Sequence, residues 1–335
     1  MKKYVNLFVF VFMIGACLSQ GRAQTKSAVS YKNPVVDIAM PDPTVIKAAD
    51  GYFYVYATES TRNVPIMKSK NLVQWTYCNT AFTNKTRPRF EPKAGIWAPD
   101  INYINNKYVL YYAMSVWGGE QTCGIGVATA NSPQGPFTDH GKMFRSNEIG
   151  VQNSIDPSLL QYEGRNYLVW GSFRGIYVIE LTADGLSIMS GAKKKRIAGT
   201  AFEAVYIHKY GDYYYMFASI GSCCQGVKST YKVVVGRSKK VWGPYKDKTG
   251  KPMLKNGYSL VIGANDYFVG NGHGSQIIQD DAGQDWLLYH GFSRSTPENG
   301  RILLLDQIKW DQEGWPYVEG GSPSYETQKA PVFNN

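Results

Sequence analysis

After its first 30 residues the chain carries no long helical period. Apolar and aromatic residues come in short runs, cut apart by clusters of Gly, Pro, Asn and Asp, which is the pattern of strands and tight turns. Five stretches share a further order. MPDPTVIKAADGYFYVYA, WAPDINYINNKYVLYYA, SIDPSLLQYEGRNYLVWG, FEAVYIHKYGDYYYMFA and GHGSQIIQDDAGQDWLLYH each open near an acidic residue or a histidine and run into an aromatic strand. A further recognisable strand follows each: Pro65–Lys70, Gly124–Ala130, Ile176–Leu181, Val233–Ser238 and Leu303–Ile308. Turn chemistry then closes each unit, as in Ser132-Pro133-Gln134-Gly135-Pro136 and Trp242-Gly243-Pro244-Tyr245.

A repeat of roughly 45 to 75 residues with several strands per unit predicts stacked sheets. The all-β class is expected, as a single five-bladed β-propeller over residues 33–325. A β-sandwich needs about seven strands and two separate β domains need a polar linker. The chain shows about twenty strand-sized segments and no such linker. If the first strand of each blade lines the central channel, Asp42, Asp100, Asp156, Glu203 and His273 converge on one spot.

The 335 residues, 44% of them hydrophobic, suffice for a large core, and 25 Tyr, 8 Trp and 34 Gly favour pleated strands and turns over helices. Lys2 and Lys3 precede an apolar run from Val5 to Leu18, and Gly21-Arg22-Ala23 supplies small residues for cleavage. Residues 1–23 therefore read as a secretory signal peptide, too short for a membrane span. Ile14-Gly15-Ala16-Cys17 also fits a lipoprotein box, which would anchor the chain at Cys17; soluble export to the periplasm or exterior is the preferred expectation. Residues 24–32 and 326–335 are assigned to an N-terminal extension and a C-terminal tail.

Loss of Lys2, Lys3 and Arg22 with the leader takes the formal charge from +10 to +7. A basic surface suits an acidic polymer such as pectin, and export argues against nucleic acid. The basic run Lys193–Arg196 reads as a solvated loop. The spacing of Cys78, Cys123, Cys223 and Cys224 matches no zinc motif. A Cys78–Cys123 bridge is permitted in an oxidising compartment, but four buried free thiols are expected. There is no nucleophile elbow, phosphate loop or dinucleotide fingerprint, and the four histidines lack zinc-hydrolase spacing.

An Asp before Pro often does no more than cap a turn, and for Asp42 or Asp156 alone that is the simpler reading. The set carries the inference. Acidic residues recur at corresponding points of strands that otherwise read apolar, where burial is costly unless they are paired or used. Several carboxylates around one funnel suit glycoside hydrolysis, with one protonated for the leaving oxygen and another ionised to activate water. A gap of roughly 6.5–9.5 Å between them would admit the water and give inversion.

Six motifs spread over nearly the whole chain carry a resemblance: Met40-Pro41-Asp42-Pro43-Thr44, Trp97-Ala98-Pro99-Asp100, Ser154-Ile155-Asp156-Pro157-Ser158, Phe202-Glu203-Ala204, Ser222-Cys223-Cys224 with Ser229-Thr230-Tyr231, and Gly272-His273-Gly274-Ser275. The chain resembles glycoside hydrolase family 43, in its arabinan-degrading endo-1,5-α-L-arabinanase branch. The resemblance implies a five-bladed propeller and an inverting mechanism, with Asp42 as general base, Glu203 as general acid and Asp156 tuning and orienting that acid. It implies a calcium ion at His273, held directly or through water. It further implies sugar contacts at Trp97, Trp117, Asn153 and Ser172, with Asp100 bracing the second blade. Ala204-Val205-Tyr206 stands where Gly-Pro-Tyr is common, and Gly274 follows His273 where Asn is commoner.

A secreted, monomeric arabinan hydrolase acting on a plant cell-wall polysaccharide is the leading expectation. An exo-acting α-L-arabinofuranosidase or a β-xylosidase of the same family is the runner-up. With about 20 residues after Trp315, no additional C-terminal module of the β-xylosidase kind is expected. A non-catalytic glycan-binding propeller is the alternative from another class, since propellers serve many functions.

Overall fold

The structure is a computed structural model that describes Met1 and residues 30–334. The expected leader and the lipoprotein box at Cys17 lie outside the described residues. Five antiparallel meanders follow one another along the chain, each with its strands paired in sequence order, and form a five-bladed β-propeller. The first blade runs Thr44–Lys47, Phe53–Tyr56, Pro65–Ser69 and Thr76–Thr80. The second opens with Gly95–Ile104 and Lys107–Ser115, the third with Ser158–Tyr162 and Arg165–Trp170. The fourth opens with Glu203–Tyr210 and Tyr213–Ile220. The fifth contains Phe268–Gly272, Asp285–Ser293 and Ile302–Trp310, with Ile278–Gln279 as a short extra strand. No helix among the described residues is long and apolar enough to cross a membrane.

Each of the five repeated stretches holds two strands rather than one. In the first, Thr44–Lys47 pairs with Phe53–Tyr56 across a turn at Asp50-Gly51. The polar residue heads the inner strand, the aromatic run is the second strand, and Pro65–Ser69 is the third. The aromatic strands are apolar on both faces because each is covered on both: Phe53–Tyr56 is buried throughout, as is Asp285–Ser293. Their side chains fill five large clusters, one at each junction between neighbouring blades. The core is thus a ring of interfaces.

The ring is closed by the beginning of the chain. Tyr31 donates its hydroxyl to the Leu305 carbonyl at 2.8 Å, and buried Asn33 both donates to that carbonyl and accepts the Leu305 N–H, each at 2.9 Å. The Val35 and Val36 N–H groups donate to the Leu303 carbonyl while the Leu303 N–H donates to the Val36 carbonyl, and Ser30–Tyr31 pairs with Gln328–Lys329. The two ends of the chain therefore meet beside the fifth blade.

The cysteines depart from expectation. Cys78 and Cys123 are free, but Cys223 and Cys224 are bonded to each other. Free thiols were expected because a bond between neighbours would strain the intervening peptide, yet that bond forms, and the pair is not buried either: Cys223 is half-buried and Cys224 exposed. They ride a short excursion clamped at its base, where Ser222 and Thr230 bond reciprocally through backbone and side chain.

Replacing Asn33 with Ala strands the buried Leu305 amide and leaves the Leu305 carbonyl to Tyr31 alone. The expected cost is about 1–3 kcal/mol, read as a lower urea midpoint at unchanged slope, with turnover retained. A midpoint equal to that of the wild type would show that Asn33 does not hold the ring shut.

Candidate active site

Each blade enters the ring through one residue in the left-handed backbone region: Asp42 (φ 53°), Ala98 (42°), Asp156 (55°), Ala204 (53°) and His273 (50°). Few residues other than Gly rest there, so surrounding contacts must hold each one. The holding groups come from the preceding blade. Thr58 Oγ1 accepts the Ala98 N–H at 2.7 Å and Ser219 Oγ accepts that of His273 at 2.8 Å. His290 Nδ1 accepts that of Asp42 at 3.0 Å, and Asp156 Oδ2 that of Ala204 at 3.1 Å. Register shifts beside the left-handed residue in blades two, four and five bend the strands there.

Asp42, Asp156 and His273 therefore hold equivalent positions, Glu203 stands one residue earlier and Asp100 two later. That offset sorts them into two layers. Asp42, Asp156, Glu203 and His273 line a cleft of about 630 Å³, together with Trp97, Trp117, Asn153, Ser172, Tyr231 and Arg301. Asp100 does not reach it. It borders a cavity of about 20 Å³ beneath, with Thr44, Ser158, Tyr206 and Ser275, its counterparts on the other blades. Asp100 accepts the Leu159 N–H at 2.8 Å and bonds Asn102 and Thr44, so it ties neighbouring blades together. Burial pushes its carboxyl up to about 6.

The cleft carboxylates are electrically unlike. Burial alone would raise Asp42, but the Arg301 guanidinium at 2.8 Å, then His273 at 3.2 Å, hold it well below the usual carboxylate range. Thr58 also donates to Asp42 Oδ2 at 2.6 Å. Glu203 and Asp156 go the other way. Burial raises both; Glu203 and Asp42 add to the rise at Asp156, whose carboxyl is pushed up to about 8, and Asp42 adds to it at Glu203, where bonds from Ser172 and Tyr231 offset part of the rise. Like charges that each favour the other's neutral form titrate as a pair. Burial opposes charge on His273, yet the Asp42, Asp156 and Glu203 carboxylates together lift its pKa above the ordinary imidazole value. Burial, then Arg301, keeps His290 well below it, so His290 stays neutral and can accept the Asp42 N–H.

The expected sugar contacts divide. Trp117 is 78% exposed and tilts against half-buried Trp97, centroids 5.4 Å apart, so together they present aromatic surface to the cleft. A Cβ on Gly95 would fall 2.3 Å from the Trp97 indole nitrogen, which is why a glycine stands there. Ser172 instead spends its hydroxyl on Glu203 Oε2, at 2.6 Å. Asn153 in turn donates to Ser172 Oγ at 2.9 Å. The pair lines the cleft and also aims Glu203. Glu59 is on the same wall, but Arg87 and the N–H groups of Asn63 and Ile96 occupy both its oxygens.

Thr58, Tyr231, His290 and Arg301 were not singled out as site residues from the sequence. Thr58 and Ser219 had a legible signal, a hydroxyl closing the aromatic strand in Ala57-Thr58 and Ala218-Ser219. Arg301 had none, since it stands directly before the third strand of its blade and no other blade carries an arginine at that point.

For the calcium implied at His273, the lining offers one imidazole and the carboxylates of Asp100 and Asp156. Calcium takes 6–8 oxygens. Among the described residues no group of three or more His, Cys, Asp or Glu is arranged to hold a metal directly. Asp100 and Gln276 already accept backbone N–H groups. These residues supply no direct calcium cage, and the cavity of about 20 Å³ they border has room for little more than a single water.

A buried cleft pairing one ionised carboxylate with two that resist ionisation, set in a five-bladed ring, is the equipment of a glycoside hydrolase. The model of the family "Glycosyl hydrolases family 43" matches residues 31–316, and the chain belongs to that family. The extracellular exo-α-(1→5)-L-arabinofuranosidase ArbA of Cellvibrio japonicus is 36% identical over 306 residues, covering 83% of this chain and 86% of the relative. The extracellular endo-α-(1→5)-L-arabinanase 1 of Bacillus subtilis is 36% identical over 289 residues, covering 82% and 86%. Among solved structures, the Cellvibrio cellulosa α-L-arabinanase complexed with arabinohexaose superposes with a TM-score of 0.77 at 33% identity, over 86% of this chain and 98% of the other.

Substituting Arg301→Gln removes the largest opposing charge at Asp42. The Asp42 carboxyl should then take up its proton at a higher pH, followed by ¹³C NMR titration of the side-chain carbon. An unmoved titration would assign the depression to His273 alone.

Proposed function

We propose that this protein is an exported hydrolase that cleaves α-1,5 bonds between L-arabinofuranose units inside arabinan chains, by single displacement with inversion. The observation that carries this is the opposite bias of Asp42 and Glu203 in the lining of one cleft. Asp42, held ionised, takes a proton from the attacking water. Glu203, held protonated, gives one to the leaving oxygen. Asp156 raises Glu203 through like charge and stays close enough to orient it. The cleft has room for the water that inversion requires. Trp97 and Trp117 offer the flat apolar faces that sugar rings stack upon.

The names of the relatives support arabinan as the polymer and export as the fate of the chain, and the leader read from residues 1–23 agrees. His273 steadies Asp42 through Nδ1. The Cellvibrio relative's exo action favours a second reading, release of single arabinose units from chain ends.

Glu203→Gln should lower kcat/KM on linear arabinan by about 10²–10⁴ without loss of fold. Unchanged turnover would remove Glu203 from the acid role. The alkaline limb of the pH–rate profile should mark loss of the proton held by the Asp156–Glu203 pair. In Asp156→Asn the like charge is gone, so that limb should move to lower pH as kcat falls; movement upward would contradict the role given to Asp156. Early products from linear arabinan separate the two modes: a ladder of oligomers indicates internal attack, arabinose alone the terminal kind.

A further inference from the structure

The Cys223–Cys224 disulfide is the only one among the described residues, and the carboxylate mechanism makes no use of it. It cannot act as a staple. A cross-link stabilises mainly by closing a loop in the unfolded chain, and a bond between neighbours closes almost none. The excursion that carries it is already clamped by Ser222 with Thr230 and by Ser229 Oγ accepting the Gln225 N–H at 2.9 Å. Its effect must therefore be local, and its location is the cleft, whose lining includes both cysteines together with Asp42, Glu203 and Trp117.

Just beyond the excursion comes Tyr231, buried beside Glu203 and packed under Gly272, where a Cβ would meet its ring at 2.2 Å. Gly272 directly precedes His273. The excursion thus projects into the cleft from a base set firmly beside the acid. What it shows there is a pair of polarisable sulfurs that demand no hydrogen bonds. Two free thiols at that exposed edge would turn independently. The bond makes them one fixed apolar surface.

We propose that the Cys223–Cys224 disulfide is a contact shelf for a sugar ring of the substrate, next to the bond being cleaved, and that reduction dissolves it. This rests on the arabinan reading given above. With a dithiol reductant such as dithiothreitol, two electrons and two protons pass to the pair. The S–S bond breaks, two S–H groups form, and the reductant closes to its own cyclic disulfide.

The test compares three forms on a series of linear arabino-oligosaccharides: the oxidised wild type, the reduced wild type capped with iodoacetamide and checked by mass, and the Cys223→Ser/Cys224→Ser protein. The capped form reports loss of the shelf with added bulk, the serine form without it. The serine form should show KM raised about three- to ten-fold, kcat within about two-fold and an unchanged urea midpoint, with Cys78→Ser behaving as wild type. Unchanged KM in the serine form overturns the shelf, as does a lowered urea midpoint with unchanged KM, which would make the bond a staple. If the oxidised wild type does not cleave arabinan, the substrate reading fails instead. The same KM comparison on the furanoside or xyloside oligomer it does cleave then still decides the shelf.

Discussion

The structure depends on holding five backbone units in the left-handed region where the blades meet the channel. Asp42, Ala98, Asp156, Ala204 and His273 would each relax to an extended strand if left alone. Four of their N–H groups are caught by a neighbouring blade's side chain, from Thr58, Asp156, Ser219 or His290. At four of the five junctions a single bond does two things at once. It locks the blade to its neighbour, and it aims the side chain that follows from the twisted backbone. In this ring, stability and site geometry are carried by the same contacts.

The chemistry follows from how unevenly charge is distributed over that geometry. Burial pushes every carboxyl in the cleft toward its neutral form. Only Asp42 receives a guanidinium and an imidazole close enough to reverse the effect. Asp156 and Glu203 receive hydroxyls and a backbone N–H, which soften the penalty but do not cancel it. One base and one acid arise from side chains of nearly the same intrinsic strength. Asp100, in the layer below, is pushed toward its neutral form by burial too, but its oxygens are taken up by the frame. Its position two residues farther along the strand separates a brace from a reactive group.

Much of this was legible in the sequence. The alternation and turn residues implied the blades, and the repeated acid at the head of each aromatic run marked Asp42, Asp156 and Glu203, all of which reach one cleft. Trp97 and Trp117 were legible as cleft aromatics. Ser172 was read as a sugar contact; it lines the cleft, and its bond to Glu203 on the next blade is a pairing that the sequence does not show. The cysteine pair was read as buried thiols, since a sequence does not say that a clamped excursion lifts both sulfurs into the open.

By itself the sequence determined the periodic part: strand, turn, and which residue stands at each recurrence, because these follow from local backbone preference and the two-residue period of a sheet. Tertiary structure alone decided which equivalent residues share a layer, since a single bulged residue rotates every side chain after it. It also decided which carboxyl is charged. That depends on Arg301, more than 250 positions from Asp42 in the chain and 2.8 Å away in space. Coulombic attraction acts through space, and only closure of the ring brings the two together.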